Sequence, residues 1–335
     1  MTKRRLLRSL LKKALVFIGS LFVLSTLVFY AARLAPGDPL IAYYGDRVER
    51  MSTGERLKAE ERLGLHDSIT TQYARWLDHA LSGDFGISYK YKMPVMEVIE
   101  SRVGNTLILG GIGFLLIFGG AMLLGVFCAW HEGRWPDRLV CQAGTVTSAI
   151  PEFWLALVLI LVFSVELRLL PSSGAYTIGG GDSIADRLRH LILPMAVVVI
   201  NHLWYYAYMV RNKILEEVRA DYILLAKSKG LSRMRIMFRH ALPNTLPSYF
   251  SLMAISVPHI LGGTYVVEAV FSYPGLGTLS YESARFHDYN MLMLLCLLSG
   301  AIVILCNLAA QAVNEAIDPR MKSVAAAEDA EVIRL

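Results

Sequence analysis

Apolar residues gather in six long runs along this chain, at 14–32, 103–130, 139–165, 194–210, 241–267 and 291–313, with polar stretches of very different length and charge between them. Crossing a bilayer takes about 20 apolar residues in a helix, so each run predicts one membrane span. The first follows Lys3, Arg4, Arg5, Arg8, Lys12 and Lys13. It exceeds the 7 to 15 apolar residues of a cleavable leader, and is expected to stay in the chain as a span. Basic residues are held on the cytoplasmic side. The N-terminus is therefore expected inside, as is the short HEGRWPDR turn with Arg134 and Arg138. Acids and bases nearly balance in 33–102, which predicts an extracytoplasmic segment. Ser52 and Glu55 form a capping box there, a helix is expected over 69–81 with Gly83 as its stop, and another starts near Pro94 and leads into the second run. Segment 167–190 is expected as an external loop. Six spans return the chain to its starting side, so both termini are expected in the cytoplasm.

The polar stretch between the fourth and fifth runs differs from the rest. It carries Arg211, Lys213, Arg219, Lys227, Lys229, Arg233, Arg235 and Arg239 against only Glu216, Glu217 and Asp221. Leu215, Val218, Tyr222 and Leu225 recur at helical spacing, predicting one helix with a single apolar face. Gly230, preceded by Lys227 and Lys229, reads as its C-terminal cap. A second, shorter helix is expected beyond it, with Met234, Met237, Phe238 and Ala241 on one face, Arg235 and Arg239 on another, and Pro243 at the entry to the fifth run. Such a knuckle is either a charged loop that orients the protein in the membrane or a rigid surface for a partner.

Composition agrees with an all-α integral membrane protein: 55% of residues are hydrophobic, and mean hydropathy is +0.45. The net charge of +5 sits in the clusters that topology already explains, so nucleic-acid binding is not needed to account for it. Cys128, Cys141, Cys296 and Cys306 all fall in apolar runs and read as small buried hydrophobes. No phosphate loop, HExxH, GxSxG or CxxC pattern occurs, and no metal site is expected. Three ionisable residues inside the runs stand out. Glu152, directly after Pro151, carries a charge that costs a few kcal/mol at membrane depth, so it faces protein or water, as a hydrogen-bonded structural group or as a pore group. His202 lies among Trp204, Tyr205, Tyr206 and Tyr208, as a packing residue or a ligand. His259 belongs to a Pro258, His259, Gly262, Gly263 interruption, which reads as a kinked gate or as close helix packing through small residues. A membrane enzyme using Glu152, His202 and His259 is the competing reading, but it leaves the basic knuckle unexplained; a passive channel is a third.

Tyr222, Ile223, Ala226, Lys227, Lys229, Gly230 and Leu231, closed by Leu242 and Pro243, resemble the coupling loop of ABC-importer permeases in its dipeptide, oligopeptide and nickel form. Leu224, Leu225 and His240 replace the Glu, Ala and Ile of the general motif. Pro36-Gly37-Asp38-Pro39, Leu63-Gly64-Leu65, Gly83-Asp84-Phe85-Gly86 with Ser88, Leu170-Pro171-Ser172-Ser173-Gly174, the stretch Glu268, Phe271, Pro274, Gly275, Leu276, Gly277, Ala284, Asp288, Tyr289, and Asp318-Pro319-Arg320 resemble further stretches of that family, in its order. The resemblance implies a type I importer permease fold of six transmembrane helices with a cytoplasmic coupling helix. It implies a division into 1–32 (N-terminus and first span), 33–102 (extracytoplasmic), 103–315 (a five-helix core carrying coupling loop 211–242) and 316–335 (tail). Implied partners are a second homologous permease, two cytoplasmic ATP-binding subunits and an extracytoplasmic solute-binding protein. The chain would have no cofactor and no ATPase of its own, since the partner subunits bind ATP and Mg. Tyr222, Ala226, Lys229, Gly230, Arg235, Arg239, Leu242 and Pro243 are the expected coupling residues, and Glu152, His202 and His259 the candidates for the pore. The expected cargo is a short peptide, with nickel or a metal chelate as the alternative.

Overall fold

In hydrocarbon a backbone has no hydrogen-bond partner but itself, and the computed structural model is accordingly almost entirely helical over the residues it describes, 3–34, 38–179 and 183–317. The Pro36-Gly37 pair and Asp318-Pro319-Arg320 lie outside the described residues. Among the described residues, five helices are long and apolar enough to cross a membrane: Leu11–Leu34, Val95–Trp130, Ile184–Val218, Arg233–Val270 and Tyr289–Ala316. A sixth candidate is a pair, α7 (Trp135–Ala149) followed by α8 (Glu152–Leu159 and its π-helical continuation to Glu166), bent by 99°.

 Run 139–165, expected as one span, is therefore two helices with a sharp bend between them. Pro151 lacks an N–H and drives the preceding residue out of the helical region, and Ile150 is extended at φ −87°, ψ 120°.

Two compact units emerge, 1–106 with 274–305, and 107–273 with the chain from Cys306 onward. In the first unit α1 (Lys3–Leu34) presents Leu11, Leu15, Ile18 and Leu27 outward, as a lipid-facing helix does. Its other face meets α4 (Ile69–Leu81) through Phe29 and Tyr73, 5.2 Å between ring centroids, and through a 2.8 Å hydrogen bond between Ser25 Oγ and the Tyr73 hydroxyl. The capping box of Ser52 and Glu55 starts α3 (Thr53–Arg62), and α4 keeps the bounds its sequence predicts, with Gly83 beyond it at φ +88°. Asp38, with Pro39 behind it, caps the short α2 (Pro39–Tyr44). The stretches around Gly86 and Asp288, distant in sequence, meet. Ser88 Oγ donates to the buried Asp288 carboxylate, which also accepts from the backbone N–H groups of Lys90 at 3.2 Å and Met291 at 3.3 Å. Asn290 Nδ2 donates to the Ile87 carbonyl at 3.0 Å. Beneath them, Val95, Val98 and Ile99 of α5 (Val95–Thr106) pack on Leu279 of α13 (Leu276–Arg285) and on Met291, Leu294 and Leu295 of α14 (Tyr289–Ile317).

In the second unit α9 (Ile184–Val218) packs against α6 (Ile112–Trp130) and α7, with glycines allowing close approach. A Cβ on Gly125 would lie 2.7 Å from the Val210 side chain, and one on Gly144 would lie 3.0 Å from the Trp204 carbonyl oxygen. Small residues at crossing points are the usual way membrane helices gain contact. The fourth span begins earlier than its apolar run. Ser183 caps the helix by accepting from Asp186 N–H, and Pro194 lies inside it, so the loop before it is shorter than 167–190. That loop is held by Gly174 N–H donating to the Phe271 carbonyl at 2.8 Å. Among the described residues the cysteines form no disulfide; Cys128 is fully buried as expected, whereas Cys141, Cys296 and Cys306 are only partly buried.

Candidate functional site

The 211–242 segment departs from its expected shape in two places. The single helix expected from Leu215 onward is two helices. α9 stops at Val218, Ala220 turns extended at φ −67°, ψ 151°, and α10 runs over Asp221–Ser228. The second short helix is not separate either. α11 (Arg233–Ile236) passes through a π turn, Met237–Ala241, into α12 (Leu242–Val270). Pro243, which has no N–H to give, follows directly on that widened turn, where the ladder is already interrupted.

Between α10 and α11 the chain makes a complete Schellman cap. Leu231 N–H reaches the Ala226 carbonyl at 3.2 Å, Gly230 N–H reaches that of Lys227 at 2.9 Å, and Gly230 takes φ +73°. Ser232 then caps α11 by accepting from Arg235 N–H. Ile223 and Ala226 of α10, with Leu231, bury against Ile236, so the inward face is one residue out of register from the expected Tyr222 and Leu225. The i, i+3 pair Ile223 and Ala226 was the available signal. Tyr222, Leu224 and Leu225 are exposed, as are Met234 and Phe238, while Met237 and Ala241 alone of the expected apolar face of α11 are buried. Leu242 is half-buried, and Lys229, Arg235, Arg239 and Pro243 are exposed.

Seven of the eight basic residues divide into two sets, while Lys213 pairs with Glu216 on its own helix. Arg211 grips the buried Asp137 with two hydrogen bonds, Nε to Oδ1 at 2.6 Å and Nη2 to Oδ2 at 2.7 Å, and Gly133 N–H adds a third donor at 2.9 Å. Arg219 pairs with Glu132. Arg233 donates to the Trp130 carbonyl and lies 4.6 Å over the Trp130 ring. These three tie both ends of the loop to the turn between α6 and α7. Lys227, Lys229, Arg235 and Arg239 point outward beside Leu224, Leu225, Met234 and Phe238. The result is an apolar and basic surface mounted on a fixed base.

A second cluster lies among the helices of the same unit. Pro151 places Glu152 in the first turn of α8, where its carboxylate rests against Gly263 of α12; a Cβ there would come within 2.6 Å of Oε1. The Asn201 side chain and His259 lie close enough to the carboxylate to interact with it. His202 Nε2 stands 3.6 Å from Oε1, Nδ1 is 2.9 Å from the Val198 carbonyl, and the ring stacks on Tyr206. His259 meets His202 edge to face, 5.4 Å between ring centroids. The three ionisable residues of the apolar runs thus converge, and α12 passes unbroken through Pro258 and Gly263.

The model of the binding-protein-dependent transport system inner membrane component matches residues 121–323. The chain belongs to this family. With its long apolar helices, this inner membrane component is a multi-pass, all-α membrane protein. The oligopeptide transport system permease protein AppB of Bacillus subtilis (strain 168) is 33% identical over 93% of the chain and 98% of its own length. The metal-staphylopine import system permease protein CntB of Staphylococcus aureus (strain NCTC 8325 / PS 47) is 30% identical over 93% of the chain and 97% of its own. Among solved structures, an inward-facing form of the MetNI methionine ABC transporter shares the fold, with a TM-score of 0.51 at 20% identity over 67% of this chain and 97% of that one. The family match encloses both the 211–242 segment and the Glu152 cluster.

Proposed function

We propose that this inner membrane component is one permease subunit of an ATP-driven importer that carries short peptides across the cytoplasmic membrane. The observation that carries the reading is near-full-length similarity to an oligopeptide permease. A second homologous permease, two cytoplasmic ATP-binding subunits and an extracytoplasmic solute-binding protein would complete the assembly. ATP and Mg would be held by those subunits, and this chain would supply the path and the lever. In this reading both termini and the 211–242 loop face the cytoplasm, and the outward set of Lys229, Arg235, Arg239, Tyr222 and the neighbouring apolar side chains meets an ATPase subunit. Ala226, Gly230, Leu242 and Pro243 set the packing and the backbone turns that hold that surface in place. Closure of the ATPases pushes the loop, and its fixed base passes the movement to α6, α7, α9 and α12. Metal-chelate import is the second reading, favoured by the similarity to CntB.

The deciding measurement is uptake of labelled dipeptides, oligopeptides and nickel by cells carrying the intact transport system, with and without this gene. Loss of peptide uptake on deletion is expected. Loss of nickel uptake with peptide uptake unchanged would overturn the choice of cargo. Orientation is tested by single cysteines in a cysteine-free background, where labelling of position 232 by an impermeant thiol reagent from outside intact spheroplasts contradicts a cytoplasmic loop.

A further inference from the structure

The groups around Glu152 are short of hydrogen-bond donors. His202 Nδ1 lies 2.9 Å from the Val198 carbonyl oxygen, which only accepts, so Nδ1 carries a proton. A neutral ring then presents a lone pair at Nε2, and that lone pair faces the Glu152 carboxylate at 3.6 Å. The Asn201 side chain lies beside the same carboxylate, and its Oδ1 is buried with no partner. Three acceptors therefore converge: the carboxylate, an imidazole nitrogen and an amide oxygen. Gly263 closes one side against the carboxylate, while the exposed His259 and the partly exposed Glu152 leave another open.

We propose that Glu152, His202 and Asn201 form a site for the ammonium group of the cargo. An ammonium brings three N–H donors and a full positive charge, which matches three acceptors and a carboxylate. Metal chemistry fits less well, because among the described residues no group of three His, Cys, Asp or Glu side chains is spaced to hold a metal ion. The inference rests on the peptide reading above and adds the part of the peptide that the membrane component recognises. An α-amino terminus and a lysine side chain offer the same chemistry.

The test uses cells carrying the complete transport system and three labelled cargoes: a peptide with a free amino terminus, its N-acetylated form, and an N-acetylated peptide bearing lysine. The quantity read is the ratio of free to acetylated uptake, compared between wild type and variants with the same solute-binding protein, so that protein's own preference cancels. Glu152→Gln is expected to lower the ratio about tenfold, the scale of one hydrogen bond to a charged group, and His202→Phe to lower it as well. Uptake of the lysine peptide in the wild type assigns the site to any ammonium, and its failure restricts the site to the terminus. Assembly is followed by copurification with the partner subunits. If Glu152→Gln does not assemble, His202→Phe decides alone. An unchanged ratio in an assembled variant, or equal loss of all three cargoes, overturns the proposal. Absence of any peptide uptake in the wild type removes the peptide reading itself and this inference with it.

Discussion

Arg211 holds Asp137 by two short hydrogen bonds across 74 residues of chain, with the carboxylate almost wholly shielded from water. Charge-assisted, two-pronged pairs of this kind are the strong ones, and removing one partner strands the other charge, at a cost of about 3–5 kcal/mol. Asp137→Ala is therefore expected to lower the thermal unfolding temperature of the purified protein clearly. Lys213→Ala, which breaks an exposed pair with Glu216, should shift stability by less than about 1 kcal/mol. Equal effects of the two substitutions would contradict an anchoring role for Asp137.

At Gly230 a Cβ would meet nothing within 4 Å, so the φ of +73° is the whole constraint. Asn adopts that region far more readily than a β-branched residue. Gly230→Asn should keep most ATP-driven uptake, whereas Gly230→Val should lose most of it while the protein still inserts and assembles. Normal uptake by a stably inserted Gly230→Val protein would show that the turn's geometry does not matter for coupling.

Neighbouring glycines of α12 make a paired test. Gly263→Ala would press a methyl group onto the Glu152 carboxylate, whereas Gly262→Ala meets only open space. The second substitution should be neutral or mildly stabilising, because Ala favours a helix over Gly by roughly 0.5–1 kcal/mol. The first should cut uptake severalfold. Matching uptake by the two variants would mean that the position of Glu152 is unimportant to transport.

In the first unit Glu282 receives the Lys90 ammonium at 2.7 Å and the Tyr91 hydroxyl. Burial raises the carboxyl's pKa, but those hydrogen bonds outweigh it and hold the group below its ordinary value. Burial, with Glu282 second, pushes Tyr91 up from 10.0 to about 12. A depressed carboxyl stabilises the fold at neutral pH and loses that contribution as pH falls through its folded value. A raised phenol loses its contribution as pH climbs from about 10 to 12. Thermal unfolding followed across pH should show both edges, and Glu282→Gln should blunt the acid one. An acid edge identical in Glu282→Gln would assign it to other carboxyl groups.

Helix existence was legible because it follows local rules: the Ser52 and Glu55 box and the Gly83 stop fix α3 and α4 with no tertiary information. The breaks were less visible. Pro151 signals a bend but not its 99° size, and the extended turn at Ala220 has no Gly or Pro to announce it. The apolar register of α10 was misread because Tyr222 and Leu225 are as hydrophobic as Ile223 and Ala226, and only packing against Ile236 selects between the pairs. Charge density in 211–242 was visible in the sequence, but the sorting of its arginines was not, since Glu132, Asp137 and Trp130 are far away along the chain. Glu152 stands out in the sequence for its cost in lipid, His202 for its aromatic neighbours and His259 for the Pro and Gly around it, and only the fold brings the three together.

The bond between Ser88 and Asp288 joins residues 200 positions apart. At a synthesis rate of about 5–20 residues per second, Ser88 exists for roughly 10–40 s before its acceptor is made. During that interval Val95, Val98 and Ile99 also lack the α13 and α14 side chains that cover them. The first unit is thus assembled from two separate segments of the chain, and it closes only after every helix of the second unit up to α12 has been synthesised.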